Sequence, residues 1–198
     1  MGVLEVIGKL YFTLLPVILA GVANSALTKS SLLSALKKPI DAGGKFFDGK
    51  RIFGDNKTWR GFLGYVVLGM LFTVIWGAIC GFANWNHLHY IYQNHDNTLL
   101  FNLWLGFLYG FAWAFCELPN SFIKRRLDIK PGKNPSGLKR IFFIILDQAD
   151  SIFGVCLVLW AFYPMSVGLY FLFVLVGAMT HIVFNMLLYF VGLRKNMF

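Results

Sequence analysis

Residues 151–193 read SIFGVCLVLWAFYPMSVGLYFLFVLVGAMTHIVFNMLLYFVGL, a stretch of 43 residues without Asp, Glu, Lys or Arg. A helix needs about 20 predominantly apolar residues to cross a bilayer, so this stretch is long enough for two crossings. Tyr163-Pro164 supplies the break between them, because proline has no N–H to donate to a continuing helix. The stretch therefore predicts two membrane-spanning helices with a short connection.

Three further charge-free stretches lie upstream, at 10–27, 61–95 and 97–116. The composition agrees with a lipid environment, since 58% of residues are hydrophobic and only 14% are charged, against about 25% charged in a typical soluble domain. We expect an all-α integral membrane protein with a single domain over residues 1–198. Its five spans are expected near 4–28, 61–83, 98–120, 141–162 and 166–193.

The basic residues predict the orientation of these spans. Residues 29–60, the first loop, contain eight Lys or Arg, and residues 124–140, the second loop, contain seven. Arg194 and Lys195 follow the last span, whereas the segments expected on the opposite side contain no basic residue. The positive-inside rule then places both loops and the C-terminus in the cytoplasm and the N-terminus outside.

Two carboxylates lie inside the fourth expected span. Asp147 and Asp150 are about 10 and 15 Å from its cytoplasmic boundary, and an unpaired carboxylate near mid-bilayer costs about 2.5–3.5 kcal/mol. Their spacing places both on one helix face, where they could hold a single cation. Mg²⁺ prefers one or two carboxylates together with phosphate oxygens. The alternative is a buried ion pair with a lysine or arginine.

A third acidic residue, Glu117, lies at the cytoplasmic end of the third expected span. Its depth is comparable with that of Asp147, and the third and fourth spans are antiparallel neighbours. We therefore expect Glu117 to face the two aspartates as a further metal ligand. The alternative is that its side chain extends to the membrane boundary.

Cations and hydroxyls follow at the mouths of the spans. Residues 54–61 read GDNKTWRG before the second span, and residues 121–126 read SFIKRR after the third. Basic residues around a cation held by carboxylates suit a polyphosphate. Alternatively, such residues only set topology and contact anionic lipid headgroups. Topology does not require the Trp, the Thr or the paired glycines of the first segment, which favours the phosphate interpretation.

Other polar residues in apolar surroundings give weaker signals. The outer-loop residues His87 and His89 are expected to be ordinary loop histidines, although their spacing would allow a weak metal site. His181 and Asn185, one turn apart in the last span, either face the site or form hydrogen bonds between helices.

Taken in order, four blocks of the sequence resemble the CDP-archaeol synthase family of membrane cytidylyltransferases. The family is also similar to the larger CDP-diacylglycerol synthases, which share a Ser…Lys-Arg block and a closing Asp-x-x-Asp pair. The blocks are Pro16 with 23–26 (ANSA), 38–41 (KPID) with 53–62 (FGDNKTWRGF), 121–127 (SFIKRRL) with 130–132 (KPG), and 147–150 (DQAD).

The resemblance implies transfer of CMP from CTP to a membrane lipid phosphate, giving a CDP-lipid and pyrophosphate with Mg²⁺. It implies a multi-pass protein of the cell (inner) membrane whose active site faces the cytoplasm, with no nucleic acid polymer as a partner. The metal ligands would be Asp147, Asp150 and Glu117. The two aspartates would be catalytic together with Lys124 and Arg125, and CTP and the lipid phosphate would contact Asp55, Asn56, Lys57, Thr58, Arg60, Asn120, Ser121 and Arg126.

Two departures from the family pattern bear on the lipid. Cys116-Glu117 stands where Gly-Asp is common, and Leu27 stands where a proline follows the first block. Residues 117–121 (ELPNS) resemble the bacterial branch, so the acceptor is either archaetidic-acid-like or phosphatidic-acid-like.

Two rival interpretations remain. An ion-coupled transporter would use the intramembrane acids as a relay, but the five spans show no inverted repeat and the acids cluster at one end. A CDP-alcohol phosphotransferase would require a closing Asp-x-x-x-Asp pair, which the sequence lacks.

Overall fold

Five long helices make up most of the chain in the computed structural model, which describes residues 2–133 and 135–192. All five are long and apolar enough to cross a membrane, and the described residues contain no β-strand. The all-α fold with five spans is therefore confirmed. The helices are α1 (Val3–Lys29), α2 (Trp59–Phe82), α3 (Leu99–Arg126), α4 (Leu138–Phe162) and α5 (Val167–Phe190).

The helix boundaries differ from the predicted ones mainly in α3, which continues through Pro119 to Arg126 instead of ending near 120. The last turn of α3 is basic, and cations are favourable at a helix C-terminus. Tyr163-Pro164 separates α4 from α5 as predicted. The side of the membrane on which the loops lie stays a prediction, and Arg194 and Lys195 lie outside the described residues.

Each helix packs against the next one along the chain, and α1 also contacts α3 and α5. We call the end of the bundle with the first and second loops the inner end and the opposite one the outer end. The core is formed by α1, α3, α4, α5 and the outer segment 90–91, while α2 lies against α1 and α3. The most buried apolar residues of the core include Leu10, Ile91, Leu105, Tyr109, Val155, Leu159 and Phe173.

The backbones of α2 and α3 touch at glycines. A Cβ on Gly110 would lie 2.3 Å from the carbonyl oxygen of Tyr65, and a Cβ on Gly106 would lie 2.6 Å from that of Gly69. Small residues allow such close approach between membrane helices. This contact holds the start of α2, and with it the end of the first loop, beside the inner half of α3.

Neutral side chains close the outer end. Asn102 of α3 accepts a hydrogen bond from the Tyr92 hydroxyl at 2.7 Å and donates to the side-chain oxygen of Asn97 at 2.7 Å. Asn97 in turn donates to the carbonyl of Gly77 at 2.7 Å and to the side chain of Asn86 at 2.9 Å. We call these residues the outer amide network.

The outer-loop histidines occupy different environments. His89 is buried and stacked on Tyr92, with ring centroids 3.9 Å apart. His87 lies at the surface, where its Nδ1 is 3.1 Å from the carbonyl oxygen of Asn84. His87 fits the interpretation of an ordinary loop histidine, whereas His89 is a buried packing residue.

Candidate functional site

An amide of α3 joins the two intramembrane aspartates of α4. The Asn120 Nδ2 group donates to Asp147 at 2.7 Å and to Asp150 at 2.8 Å. One turn further along α3, the Lys124 ammonium lies 2.5 Å from both carboxylate oxygens of Asp147. The aspartates therefore share a face, as their spacing predicts, and this face is directed at α3.

The third carboxylate lies one turn earlier on α3. Glu117 is paired with Lys57 from the first loop, and it accepts hydrogen bonds from Trp113 at 3.1 Å and from the Ser151 hydroxyl at 3.0 Å. Ser151 is also within 3.2 Å of Asp150. Glu117 thus faces α4 beside the aspartates and does not extend to the boundary.

All three carboxylates affect the pKa of Lys57. Burial lowers the pKa of its ammonium, but Glu117, Asp150 and Asp147 together outweigh burial and raise that pKa. Lys57 is therefore a cation in this setting. With Lys124 it forms what we call the inner charge cluster, which consists of Lys57, Glu117, Asn120, Lys124, Asp147 and Asp150.

The atoms of the inner charge cluster that could bind a metal ion are all hard oxygen ligands. The side-chain oxygen of Asn120 is buried and has no partner among the described residues, while the Nδ2 group of the same amide contacts both carboxylates of α4. Such oxygen ligands fit Mg²⁺. Within the described part of the chain, no three His, Cys, Asp or Glu side chains converge as a metal site, and the lysines supply the positive charge. Magnesium stays a prediction.

The first loop is organised around Asp41, a residue to which the sequence assigned no role. Its carboxylate accepts hydrogen bonds from Arg51 and from the backbone N–H groups of Gly43, Phe53 and Gly54, at 2.7 to 3.3 Å. Burial raises the pKa of Asp41, but these donors outweigh burial and hold it well below its usual range. The KPID block was the signal that could have identified this residue.

Arg51 links Asp41 to the predicted site. Its guanidinium pairs with Asp41 at 2.7 Å and with Asp55 at 2.9 Å. Asp55 is largely exposed, with 72% of its side chain accessible. Arg51 therefore fixes the position of a predicted CTP contact through the fold of the loop.

Arg60 joins the start of α2 to the end of α1, and Thr58 caps α2. The buried guanidinium of Arg60 donates to the carbonyls of Ser30 and Leu32, at 3.0 and 3.1 Å, and to that of Thr28. Thr28 lies in the last turn of α1, where helix carbonyls have no intrahelical partners, and Ser30 and Leu32 follow directly after that turn. The Thr58 hydroxyl caps α2 by accepting the N–H of Gly61 at 3.2 Å.

Arg126 is bound to the first loop. Its Nε atom pairs with Asp48 at 2.7 Å, one terminal nitrogen donates to the carbonyl of Arg51, and its guanidinium lies over the ring of Phe122, 4.3 Å from the centroid. The structure therefore places this predicted phosphate contact in a loop-fixing role.

Arg125 is the opposite case. Arg125 is buried, with a relative accessibility of 7%. Its Nε and Nη1 atoms have no hydrogen-bond partner among the described residues. Nη1 lies 3.1 Å from the position that a Cβ on Gly54 would take. A buried guanidinium with open donors suits an anion. Ser121, also buried, lies one turn before it on α3.

A polar cavity of about 340 Å³ opens between α1, α2, α3 and the first loop. It collects five residues that the sequence predicts as CTP contacts, together with Glu117 of the inner charge cluster. The other predicted residues, from Asn120 to Arg126 on α3 and the two aspartates, are not among its lining residues. The five predicted CTP contacts that line the cavity are Asp55, Asn56, Lys57, Thr58 and Arg60.

An apolar groove lies between α1 and α5, beside the polar cavity. Sequence reasoning did not locate this groove in the fold. Ser25 and Tyr65 line both the cavity and the groove, so the two spaces meet at these side chains. The polar 23–26 block inside an apolar span was the available signal. Other groove residues are Leu14, Ile18, Trp113, Val176 and Phe184.

His181 and Asn185 combine both roles that the sequence allowed. His181 Nδ1 is 3.1 Å from the carbonyl oxygen of Gln148, and Asn185 donates to the Gln148 side chain at 2.5 Å. Both residues also line the apolar groove. They therefore connect α5 to α4 while forming part of its wall.

Comparison with known proteins identifies the family. A CarS-like CDP-archaeol synthase family model matches residues 3–198. The chain is 33% identical to the CDP-archaeol synthase of Thermofilum pendens over 191 residues, which are 94% of this chain and 80% of that protein. The chain belongs to the CDP-archaeol synthase family.

Other relatives match over a shorter length. The CDP-archaeol synthase of Thermococcus gammatolerans is 39% identical over 108 residues, so the match spans only 54% of this chain and 56% of that relative. A solved structure, described as an intramembrane enzyme for archaeal membrane lipids biosynthesis, has a TM-score of 0.57 and 21% identity, covering 89% of this chain and 92% of that one. It shares the fold.

Proposed function

We propose that the chain, as a member of this family, transfers CMP from CTP to a lipid phosphate in the membrane, releasing pyrophosphate. One observation carries the proposal: the polar cavity that contains Lys57 and Glu117 meets the apolar groove at Ser25 and Tyr65. A reaction between a polar nucleotide and a lipid needs such a junction. The transporter interpretation has no support from the comparisons.

The polar side of the junction suits a triphosphate. Lys57 lies in the cavity wall. Arg125 of α3 has donors without a partner among the described residues, and they lie next to Gly54 of the first loop. Charge-assisted contacts from Lys and Arg are the strong ones for phosphate oxygens. The nucleotide would therefore enter between the first loop and the inner end of α3.

The apolar side suits one chain of the acceptor. The groove follows α1 from Ser25 to Leu10, about 22 Å at 1.5 Å per residue. A chain lying there would direct the lipid phosphate at Ser25 and Tyr65, towards the polar cavity. The lining side chains are generic apolar ones, so they favour neither ether- nor ester-linked tails.

The chemistry then depends on position and charge. An oxygen of the lipid phosphate forms a bond to the α-phosphorus of CTP, and the bond from that phosphorus to the β-phosphate bridging oxygen breaks. Because the attacking phosphate is already anionic, no strong general base is needed. The contribution of the protein is alignment of the two substrates and neutralisation of their repulsion.

The cation is part of this proposal. Asp147, Asp150 and Glu117 would hold Mg²⁺, which would neutralise charge on the triphosphate. Lys57 and Lys124 pair with these carboxylates in the structure, and they would contact phosphate oxygens once the cation takes their place. We place the site on the cytoplasmic side of the cell membrane, where CTP is available.

The test uses purified protein in lipid nanodiscs with radiolabelled CTP and Mg²⁺. The acceptors are phosphatidic acid and unsaturated archaetidic acid, each in both glycerol stereochemistries. We expect one of them to be converted to CDP-lipid, and we expect Lys57→Met to abolish conversion. Lys9→Met, near the outer end of α1, is the matched control and should leave the rate unchanged.

The outcomes separate the parts of the proposal. CTP binding without turnover of any of these lipids would contradict the acceptor class but keep the nucleotide site. Folded protein that binds no CTP would overturn the proposed function.

A further inference from the structure

A tight turn projects from the first loop. Residues 45–51 fold back on themselves through an antiparallel bridge between Lys45 and Arg51, with the N–H of Phe46 donating to the carbonyl of Lys50 at 2.8 Å. Gly49, at φ +76°, makes the reversal possible, because a left-handed backbone favours glycine. We call this segment the 45–51 turn.

The turn is fixed to the inner end of α3. The Lys50 ammonium donates to the carbonyl of Arg126 at 2.8 Å and to Asp128 at 2.7 Å. The Arg126 guanidinium pairs with Asp48 and lies over the rings of Phe46 and Phe122. Phe46 and Phe122 pack edge to face with centroids 5.1 Å apart. The orientation of the turn therefore follows that of α3.

The tip of this fixed turn presents an aromatic side chain to its surroundings. Phe47 is 100% exposed and Phe46 is 42% exposed. Exposed apolar area costs about 25 cal/mol per Å² in water. Phe47 makes its ring contact with Phe46, at 5.0 Å, and that contact does not cover it.

The turn lies at the depth of the membrane interface. Leu99 and Leu100, at the outer end of α3, are 63% and 79% exposed, so the lipid-facing part of α3 begins there. A hydrocarbon core of about 30 Å corresponds to about 20 residues of helix. The inner boundary of the core then falls near Asn120, which leaves Phe122 a few Å beyond it, in the headgroup layer.

Further exposed apolar side chains lie at the inner end of α3. Ile123, on its last turn, and Leu127, directly after it, are 45% and 48% exposed. Phe46, which packs on Phe122, and Phe47 add exposed apolar area at this end of the helix. Lys45, exposed on the 45–51 turn, supplies a positive charge that suits anionic headgroups.

We infer that the 45–51 turn inserts Phe47 into the interfacial layer of the leaflet at the inner end, so that the bilayer itself holds the first loop in place. Aromatic side chains prefer this layer, and lysine can extend from it to the headgroups. Because Arg51 ends the turn and pairs with Asp55, the same insertion positions a residue of the polar cavity. This inference does not depend on the proposed reaction.

The test is a depth measurement by spin labelling in nanodiscs that contain anionic lipid. Phe47→Cys is labelled with a nitroxide in a Cys116→Ala background, since Cys80 and Cys156 are buried. Accessibility to oxygen, which enters lipid, is compared with accessibility to a polar nickel complex, which stays in water. Ile75→Cys on the lipid-facing side of α2 and Lys133→Cys on the exposed second loop are the lipid and water references.

We expect the oxygen-to-nickel ratio at position 47 to exceed that at position 133 and to approach that at position 75. Equal ratios at positions 47 and 133 would place the turn in water and overturn the inference. Exclusion of both reagents from position 47 would also overturn it, because a protein surface would then cover the turn.

Discussion

Two asparagines of α3 share one face of the helix, five turns apart, and their surroundings differ completely. Asn102, at the outer end, uses its oxygen and its nitrogen in hydrogen bonds to the neutral side chains of Tyr92 and Asn97. Asn120, at the inner end, donates to two carboxylates, and its oxygen has no partner among the described residues.

The difference indicates that the two ends of the bundle have different roles. The outer amide network is neutral and its hydrogen bonds are made within the protein, so it needs no ligand to be stable. The inner charge cluster is charged, and one of its polar atoms has no partner in the part of the chain that the structure describes; the same is true of two donors of the buried Arg125, the residue after Lys124. Such an arrangement costs stability unless something else binds there. We therefore attribute structure to the outer end and substrate binding to the inner end.

The largest expected effect is that of Asp150→Asn on the rate of CDP-lipid formation. The change removes a charge with little change in volume, so the fold should survive while the rate falls by about 10²–10³-fold or more. The measurement is the rate at saturating CTP, with thermal unfolding as the check on folding. Asp96→Asn, an exposed residue of the outer segment, should keep the normal rate. A normal rate for Asp150→Asn would remove this residue from the site.

Lys124→Met should weaken CTP binding about 10- to 100-fold. A charged hydrogen bond contributes about 1.5–3 kcal/mol, and the ammonium that now pairs with Asp147 is placed to contact phosphate. Isothermal titration with CTP measures the change, with Lys133→Met in the second loop as the control. If Lys124→Met lowers only the unfolding temperature, Lys124 is a counter-ion of Asp147 and does not contact the nucleotide.

Asn102→Ala should lower the stability of the protein and leave its transfer rate unchanged. Loss of the amide leaves the Tyr92 hydroxyl and the Asn97 oxygen without their partner, which costs about 1–3 kcal/mol for each buried group. Chemical unfolding in detergent should show reduced stability, while the transfer rate per folded molecule stays unchanged. A lost rate at unchanged stability would break the distinction between the two ends.

The smallest expected effect concerns pH and Asp41. Its pKa is held below the usual value, so the stabilisation of the first loop is complete above about pH 4. It is lost only as the pH falls through the lower pKa of the folded state. Hydrogen exchange at Phe53 and Gly54, corrected for intrinsic rates, should show protection unchanged from pH 7 to 5. Asp41→Asn should reduce protection over this whole range, and equal protection in both proteins would contradict the assignment.

Much of the site follows from the order of residues along the chain, and some of it does not. The spacing of Asp147 and Asp150 predicts a shared face, and the position of Glu117 at the end of a span predicts its depth. The roles of Arg60 and Arg126 could not be predicted, because both lie among basic residues that all suit phosphate. Their observed partners are backbone carbonyls and an acidic residue of the first loop, which only a folded loop brings within reach.

The sequence by itself determined the solvent, the number of crossings and the level at which charge enters the bilayer. These properties depend on how many contiguous residues are apolar, because the thickness of the membrane sets the number of apolar residues that a spanning helix needs. The tertiary structure alone decided the pairing of Lys57 with Glu117, 60 residues apart, and the meeting of the polar cavity with the apolar groove. Both depend on the rotation of each helix about its axis and on the path of the first loop, which contacts between distant residues fix.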